Sequence, residues 1–257
     1  MAPRLWCERC SENVLEMSFI GTAGWTIPAP YKNEFPGAGS HLQRYASRLS
    51  CVEINSSFYR PHKRATYEKW AAAVPEEFRF SVKVPRTITQ NHRLENYGNK
   101  LDDFLREVTG LGGRLGVLLA QLPPSLVYDA DVAEKFFRDL ARANVTIACE
   151  PRHISWFTPD SDKALKRLNI VRVAADPPRA PSDGAPGGDT STAYFRLHGS
   201  PKIYYSEYSD TQLAQLAQKL GPRDWCIFDN TAAFHALGNA LTLQRNRFAP
   251  KLARSLG

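Results

Sequence analysis

The chain has 257 residues, of which 43% are hydrophobic and 23% charged, proportions typical of a globular protein. Its formal net charge is +7, from 33 Lys and Arg residues against 26 Asp and Glu residues. This balance favours acidic partners such as phosphates or nucleic acid, although ordinary surface charge explains it equally well. No apolar stretch approaches the ~20 residues that cross a bilayer, and the N-terminus lacks the apolar core of a secretory signal. We therefore expect a cytoplasmic protein.

The first 17 residues fit no periodic pattern and are predicted to form an irregular extension, with Met17 as an alternative start of the chain. Cys7 and Cys10 form one CxxC pair in this extension. A zinc site needs four ligands, and no second pair follows. The other cysteines lie in apolar runs, which predicts reduced, buried thiols: Cys51, Cys149 and Cys226.

From residue 18 onward, strand-like runs alternate with runs of helical spacing. The predicted strands are 18–22, 51–58, 78–84, 115–122, 145–149, 170–174, 193–197 and 225–228. Helix starts are marked by Thr158-Pro159, by the capping box Ser209-Asp-Thr-Gln212 and by Asp229-Asn230-Thr231. The stretch 176–192 is rich in Pro, Gly and Ser, which predicts a long mobile loop that acts as a lid.

The alternation of strands and helices without a break in composition predicts one α/β domain over residues 18–257. The architecture that fits eight such units is a single (β/α)8 TIM-type barrel or a close variant. An open doubly wound sheet and a barrel with a missing strand are the alternatives.

Charged residues recur at the ends of the apolar runs, and such residues are almost never buried without a partner. Side chains two positions apart on a strand share a face, as is the case for Glu53 with Asn55, Glu150 with Arg152, and Arg196 with His198. The active site of a barrel of this type lies at the C-terminal ends of its strands. The pattern therefore predicts one polar site at that mouth, shared by all these groups.

Several motifs resemble those of the YecE-like family, also called domain of unknown function 72. They are Gly21-Thr-Ala-Gly24-Trp25, Val52-Glu53-Ile-Asn55-Ser-Ser-Phe58-Tyr59, Phe80-Ser-Val-Lys83, Gln121-Leu-Pro123-Pro124, Glu150-Pro-Arg152-His153 with Trp156, Phe195-Arg196-Leu-His198-Gly199, and Asn230 with Asn239-Ala240. The resemblance runs from about residue 18 to residue 245 and implies a TIM-type barrel without an established reaction. Two departures are visible. The family's Thr-His pair appears as Thr89-Gln-Asn-His92, and the last strand ends in Phe228-Asp229-Asn230 instead of an aromatic residue and two asparagines.

The candidate site residues fall into two groups. The acid/base candidates are Glu53, Glu150 and His198. The candidates for substrate binding are Trp25, Asn55, Tyr59, Lys83, Arg152, Arg196, Lys202 and Asn230. Each has a structural alternative: the carboxylates and cations pair with one another across the barrel, the histidine is a core residue, and the aromatic residues pack at the rim.

These groups suit an enzyme of the hydrolase, lyase or isomerase type that acts on a small anionic substrate, with a phosphorylated one among the candidates. Barrels often bind phosphate with the loops after strands seven and eight. Here those loops supply Gly199 and Lys202, whereas Asp229 would repel an anion. Whether the protein turns over a substrate at all stays open at this point.

Two other functions are alternatives. One is a nucleic-acid-binding or repair-associated barrel, in which Tyr204, Tyr205 and Tyr208 stack on bases. The other is a barrel that binds a partner without catalysis. No motif for an organic cofactor is present. A divalent metal held by a Glu, Asp and His set is disfavoured, because Lys83, Arg152 and Arg196 crowd the same region.

Overall fold

The structure, a computed structural model, describes residues 17–178 and 184–248. The predicted N-terminal extension with its CxxC pair lies outside the described residues, apart from Met17, and so does the central part of the predicted lid.

In the described part of the chain, ten strands form one sheet. Their bounds are β1 Phe19–Ala23, β2 Cys51–Ile54, β3 Arg79–Lys83, β4 Leu115–Gln121, β5 Thr146–Glu150, β6 Ile170–Arg172, β7 Ala174–Asp176, β8 Gly187–Gly188, β9 Tyr194–Leu197 and β10 Trp225–Phe228. Their order in the sheet is β7-β9-β10-β1-β2-β3-β4-β5-β6-β8. The chain passes from β6 to β7 through Val173 alone, so it links β7, at one end of this order, with β6, next to the short β8 at the other end, and closes the ring. The predicted TIM-type barrel is confirmed.

Helices cover the outside of this ring. Their bounds are α1 His41–Ala46, α2 Ser56–Tyr59, α3 Arg64–Ala72, α4 Lys100–Val108, α5 Ala130–Leu140, α6 Pro159–Arg167, α7 Asp210–Lys219 and α8 His235–Phe248. The side chains of Thr158 and Ser209 cap α6 and α7 as predicted. The predicted cap of the last helix is wrong, because α8 begins only at His235. The side chains of Asp229 and Asn230 make other hydrogen bonds, which are described below.

Two apolar layers follow from the alternation of side chains along the strands. One layer lies between the strands and the helices, where Val52, Phe80 and Leu118 are fully buried. The other fills the inside of the barrel, and its members are Cys51, Val117, Leu119, Ala148, Val171, Val173, Tyr194, Trp225 and Ile227. This inner layer forms the floor on which the polar residues of the mouth lie.

The predicted sixth strand and the loop after it differ from the expectation. The strand is divided into β6 and β7, and β8, which falls within the predicted loop, pairs antiparallel with β6. Gly188 is required there because a Cβ would collide with the backbone oxygen of Ile170 and because its φ is +65°. The Asp162 carboxylate accepts hydrogen bonds from Gly188 N at 2.9 Å and from Arg172 Nε at 3.0 Å. Two glycines carry no hydrophobic pattern, so periodicity could not reveal this strand.

No helix among the described residues has the length and apolarity that spanning a membrane would need.

Candidate functional site

The inner face of the barrel changes from apolar to charged toward the C-terminal ends of its strands. On β2, Cys51 is followed two positions later by Glu53, and on β5, Ala148 is followed by Glu150. On β9, the sequence Tyr194-Phe-Arg196 makes the same step. Alternation puts each charged side chain directly above an apolar one on the same face. Glu53, Glu150 and Arg196 are all completely buried.

Arg196 is the centre of the charged group. Its Nε and Nη2 donate hydrogen bonds of 2.9 Å and 2.7 Å to the two carboxylate oxygens of Glu53. Its Nη1 donates to Glu150 Oε2 at 2.7 Å, and its Nη2 also donates to Asp229 Oδ2 at 3.1 Å. A planar guanidinium suits such forked contacts. One arginine thus holds three carboxylates from three different strands or strand ends.

Neutral side chains complete the lower edge of this group. The Tyr194 hydroxyl lies 3.0 Å from Glu53 Oε2 and 2.8 Å from Ser81 Oγ. Gln121 Nε2 donates to Glu150 Oε2 at 2.9 Å. Both oxygens of Glu53 are therefore engaged, which is the arrangement of a structural ion pair. We call Arg196, Glu53, Glu150, Asp229 and His198 the ion network.

His198 lies between two carboxylates of the ion network. Its Nε2 is 3.0 Å from Glu150 Oε1 and its Nδ1 is 3.1 Å from Asp229 Oδ2. Burial lowers the pKa of His198, but these two carboxylates outweigh burial and raise it above its usual value of 6.5. Burial raises the pKa of Glu150 and Asp229, but the charges of Arg196 and His198 prevail and lower both. The geometry favours an imidazolium between two carboxylates.

Lys83, the last residue of β3, has a different environment. It is 6% exposed, and its Nζ lies 4.1 Å from the centre of the Phe58 ring. Burial, followed by the charge of Arg196, lowers its pKa from 10.5 to about 8, while the carboxylates of the ion network oppose this shift. Its Nζ has no hydrogen bond or ion pair with any residue of the described ranges 17–178 and 184–248. The nearby carboxylates are already engaged with Arg196 and His198.

Unsatisfied polar atoms mark the rim above the ion network. In the described part of the chain, the buried atoms Arg152 Nε, Asn55 Oδ1 and Asn230 Oδ1 have no hydrogen-bond partner. Asn55 is the first residue after β2, and Arg152 and Asn230 are the second residues after β5 and β10. Arg152 Nη2 lies 3.5 Å from Glu150 Oε1, a weak contact. Buried polar groups without partners are rare and call for an explanation such as a ligand or water.

Other predicted binding residues make their contacts elsewhere. Trp25 packs edge-on against Trp70 with ring centres 5.2 Å apart. Tyr59 is 70% exposed, and Lys202 lies over the ring of Tyr205 at 4.4 Å. The structure therefore brings together the ion network, Lys83 and Arg152, but not these three residues.

The side chain of Asn230 stabilises the loop between Gly199 and Tyr208. Its Nδ2 donates to Ser206 O and to Asn239 Oδ1, both at 2.9 Å. Tyr208, expected as a stacking residue, is 4% exposed and holds the same loop: its hydroxyl accepts from Gly199 N at 2.9 Å and donates to Asp176 O at 3.1 Å. The loop between Gly199 and Tyr208 thus covers part of the mouth, and Tyr204 packs edge-on against His198 at 5.9 Å.

Sequence reasoning missed three members of the site. Asp229 was expected to repel a ligand, whereas its carboxylate contacts Arg196 and His198. Tyr194 and Gln121 were not proposed as partners of the carboxylates. Alternation could have found Asp229, because it lies two positions after the inward-facing Ile227. Within the described ranges, no three His, Cys, Asp or Glu side chains are grouped so that they could hold a metal ion.

Comparison with known proteins gives the same architecture. A family model described as "Protein of unknown function DUF72" matches residues 19–253. The UPF0759 protein YecE of Escherichia coli K12 is 26% identical over 165 residues, which cover 62% of this chain and 59% of the relative. The UPF0759 protein YunF of Bacillus subtilis 168 is 26% identical over 201 residues, which cover 72% of this chain and 71% of the relative. The chain thus spans about three fifths of the length of YecE.

Two solved structures are similar in fold. A DUF72 family protein from Enterococcus faecalis V583 has a TM-score of 0.74 at 22% identity, with 90% of this chain and 95% of that chain covered. A DUF72 family protein from Thermotoga maritima MSB8 has a TM-score of 0.72 at 23% identity, with 89% and 98% covered. The resemblance in the motifs, the closed barrel and the match over nearly the whole sequence agree, and the chain belongs to the DUF72 family.

Proposed function

We propose that this protein is an enzyme that performs acid/base chemistry on a small anionic polar substrate at the C-terminal mouth of the barrel. The observation that supports this best is Lys83, a buried amine with no ion-pair partner among residues 17–178 and 184–248, beside a fully paired ion network. Burying an ammonium group without a partner costs free energy, and groups with perturbed pKa values of this kind cluster at functional sites.

The ion network would act as a rigid support. Glu53 has both oxygens on Arg196, so its part is to hold that guanidinium in place. Glu150 and His198 remain the candidates for passing protons within the network, and Asp229 is its partly exposed member, with 11% of its side chain accessible. Fixed dipoles and charges of this kind stabilise charge that develops in a transition state without reorganisation.

The charge balance supports an anionic substrate. When His198 is protonated, the four basic groups Arg196, His198, Lys83 and Arg152 outnumber the three carboxylates of the ion network. The cations with spare hydrogen-bonding capacity are Lys83 and Arg152, both at the rim. A carboxylate or phosphate group of a substrate would pair with the guanidinium of Arg152 and leave the amine of Lys83 available.

The pKa of Lys83 supports proton transfer. A group with a pKa of about 8 exists in both protonation states near neutral pH, which general acid/base catalysis requires.

Exchange of hydrogen with the solvent tests the proposed acid/base function directly. The protein is incubated in D2O with a panel of sugar phosphates and hydroxy- and oxo-acids, and exchange of carbon-bound hydrogen is followed by NMR.

The expected result is exchange on at least one of these compounds with the unchanged protein and with Lys163→Met, a substitution of an exposed lysine on α6. Lys83→Met should abolish the exchange. Exchange at an unchanged rate in both Lys83→Met and Glu150→Gln would show that neither residue takes part in the reaction.

Nucleic-acid binding is a second candidate, favoured by one observation. Lys202 lies over the ring of Tyr205, which is 49% exposed, so a cation and a partly exposed aromatic ring lie together on the loop after β9. Binding of a labelled single-stranded oligonucleotide should then weaken steeply with salt, and Tyr205→Ala should weaken it further. Binding that is absent at low salt would remove this candidate.

A further inference from the structure

The amine of Lys83 has surroundings that differ from those of any group in the ion network. Its side chain leaves β3 on the same inner face as Ser81, which contacts Tyr194 inside the barrel. Lys83 therefore lies one layer above the apolar floor, at the mouth. One side of its ammonium faces the aromatic ring of Phe58 at 4.1 Å. The ring of Phe58 thus fixes the position of the amine, while no carboxylate of the described residues forms an ion pair with it.

The neighbouring carboxylates Glu53 and Glu150 make their hydrogen bonds to groups other than this amine. Glu53 is engaged by both Nε and Nη2 of Arg196, and Glu150 by Arg196, Gln121 and His198. A carboxylate that paired with Lys83 would return its pKa to the usual range and keep it protonated. The ion network instead adds the positive charge of Arg196 nearby, which together with burial favours the neutral amine.

The neutral form is the one that reacts with a carbonyl group. With a pKa of about 8, a far larger share of the Lys83 amines is neutral near pH 7.5 than for a lysine at its usual pKa of 10.5. The rim atoms without partners add recognition for a charged and polar substrate: Arg152 Nε is a donor and Asn55 Oδ1 an acceptor.

The geometry points to Lys83 as an imine-forming residue, whose Nζ condenses with the carbonyl carbon of a small aldehyde or ketone that carries a carboxylate or phosphate. This inference rests on the proposed function and names its substrate class. The lone pair of Nζ attacks the carbonyl carbon, and the C–O π bond breaks to give a carbinolamine. That oxygen takes up a proton and leaves as water. Overall, ammonium and carbonyl give a protonated imine and one water, with no oxidant or reductant required.

The protonated imine is an electron sink next to the substrate carbon. The carbon beside it loses a proton far more readily than in the free ketone, which connects this chemistry to the acid/base function. The carboxylates of the ion network would stabilise the positive iminium nitrogen, since they already lie close enough to affect the charge of Lys83.

Reductive trapping tests the inference. The full chain is incubated at pH 7.5 with pyruvate, with dihydroxyacetone phosphate, or with uncharged acetone, and borohydride is then added to reduce any imine to a stable amine. Intact mass and peptide mapping locate the product. We expect a single adduct on Lys83 with one or both anionic compounds, at least tenfold more than with acetone. The two anionic arms distinguish a carboxylate from a phosphate substrate.

Two variants serve as controls. Lys163→Met removes an exposed lysine and should leave the adduct unchanged, whereas Lys83→Arg keeps a cation at the mouth and should abolish it. Peptide mapping of the unchanged protein needs no variant, so the test holds even if a variant folds poorly. Labelling spread over surface lysines without preference for Lys83, or no labelling at all, overturns the inference.

Thermal protection separates this failure from failure of the proposed function. If pyruvate or dihydroxyacetone phosphate raises the melting temperature of the unchanged protein but no adduct forms on Lys83, imine formation is wrong and the anion-binding mouth stands. If neither compound protects and neither forms an adduct, the imine is overturned, while the solvent-exchange panel described above decides the proposed function separately.

Discussion

The two halves of the barrel interior use the same strands and the same inward-facing positions for opposite chemistry. The lower half is filled by apolar side chains such as Val117, Ala148 and Ile227. The upper half begins at the next inward-facing position of each strand. It holds the ion network, whose residues are buried to the same degree. A fold that can pack one layer with aliphatic residues does not need ions in the next for stability. The difference is the one that we expect if the upper layer has the function proposed above.

The contrast within the upper half is equally informative. Arg196 forms ion pairs with three carboxylates, whereas the ammonium group of Lys83 forms no ion pair with any described residue. Arg196 holds the carboxylates of the ion network in place, whereas the amine of Lys83 has no ion-pair partner in the described part of the chain. The following substitutions test this division, from the largest expected effect to the smallest.

Arg196→Met should have the largest effect, because it leaves Glu53, Glu150 and Asp229 buried without their common partner. Breaking a buried ion pair by removing one member typically costs about 3–5 kcal/mol. The free energy of unfolding from urea denaturation measures this. Arg48→Met is the matched control: its ion pair with Glu34 is 40% and 43% exposed, and its loss should cost less than about 1 kcal/mol. Equal losses in the two variants would contradict a supporting role for Arg196.

Lys83→Met should stabilise the protein while abolishing activity. A change of pKa from 10.5 to about 8 corresponds to a cost of about 3 kcal/mol for keeping the ammonium buried. The unfolded chain binds the proton more tightly than the folded one, so the full cost applies below about pH 8 and disappears as pH rises through 10.5. The gain in unfolding free energy should therefore be large at pH 7 and smaller at pH 10. A loss of stability at pH 7 would show that Lys83 is a structural counter-ion.

His198→Gln should lower stability by about 2 kcal/mol at pH 6, the size expected for hydrogen bonds to charged groups. The folded-state pKa of His198 is raised by Glu150 and Asp229. Its contribution is thus fully present below the unfolded value of about 6.5 and is lost as pH rises through the folded value. Urea midpoints of both proteins at pH 6 and pH 9 should converge at the higher pH. A difference that grows with pH would contradict the imidazolium.

Ile227→Val probes the lower half and should have the smallest effect. Removing one buried methylene costs about 1 kcal/mol, and no titrating group takes part, so the cost should be the same at pH 6 and pH 9. Catalysis should be unchanged, since Ile227 lies in the apolar floor. A loss of activity without loss of stability would mean that the floor and the mouth are not separate in function.

The sequence predicts the barrel and the location of the site because both depend on local pattern. Alternation of apolar residues identifies the strands, and Glu53, Glu150 and Arg196 violate the apolar pattern at their ends. The pairing of these residues is not local: Glu53 and Arg196 are separated by 143 positions, so only the closed ring decides which charges meet. For the same reason the sequence predicts a helix cap at Asp229 and a loop at residues 187–188, where the structure has a member of the ion network and β8.

The pKa of Lys83 is the most direct test of the division between a paired network and an available amine. Methylation of the lysines with ¹³C-labelled formaldehyde gives each one an NMR signal that titrates with pH, and Lys83→Arg identifies the signal of Lys83. The structure predicts a midpoint near pH 8 for this residue. A midpoint near 10.5, together with the exposed lysines, would mean that a carboxylate neutralises Lys83 and would contradict the account.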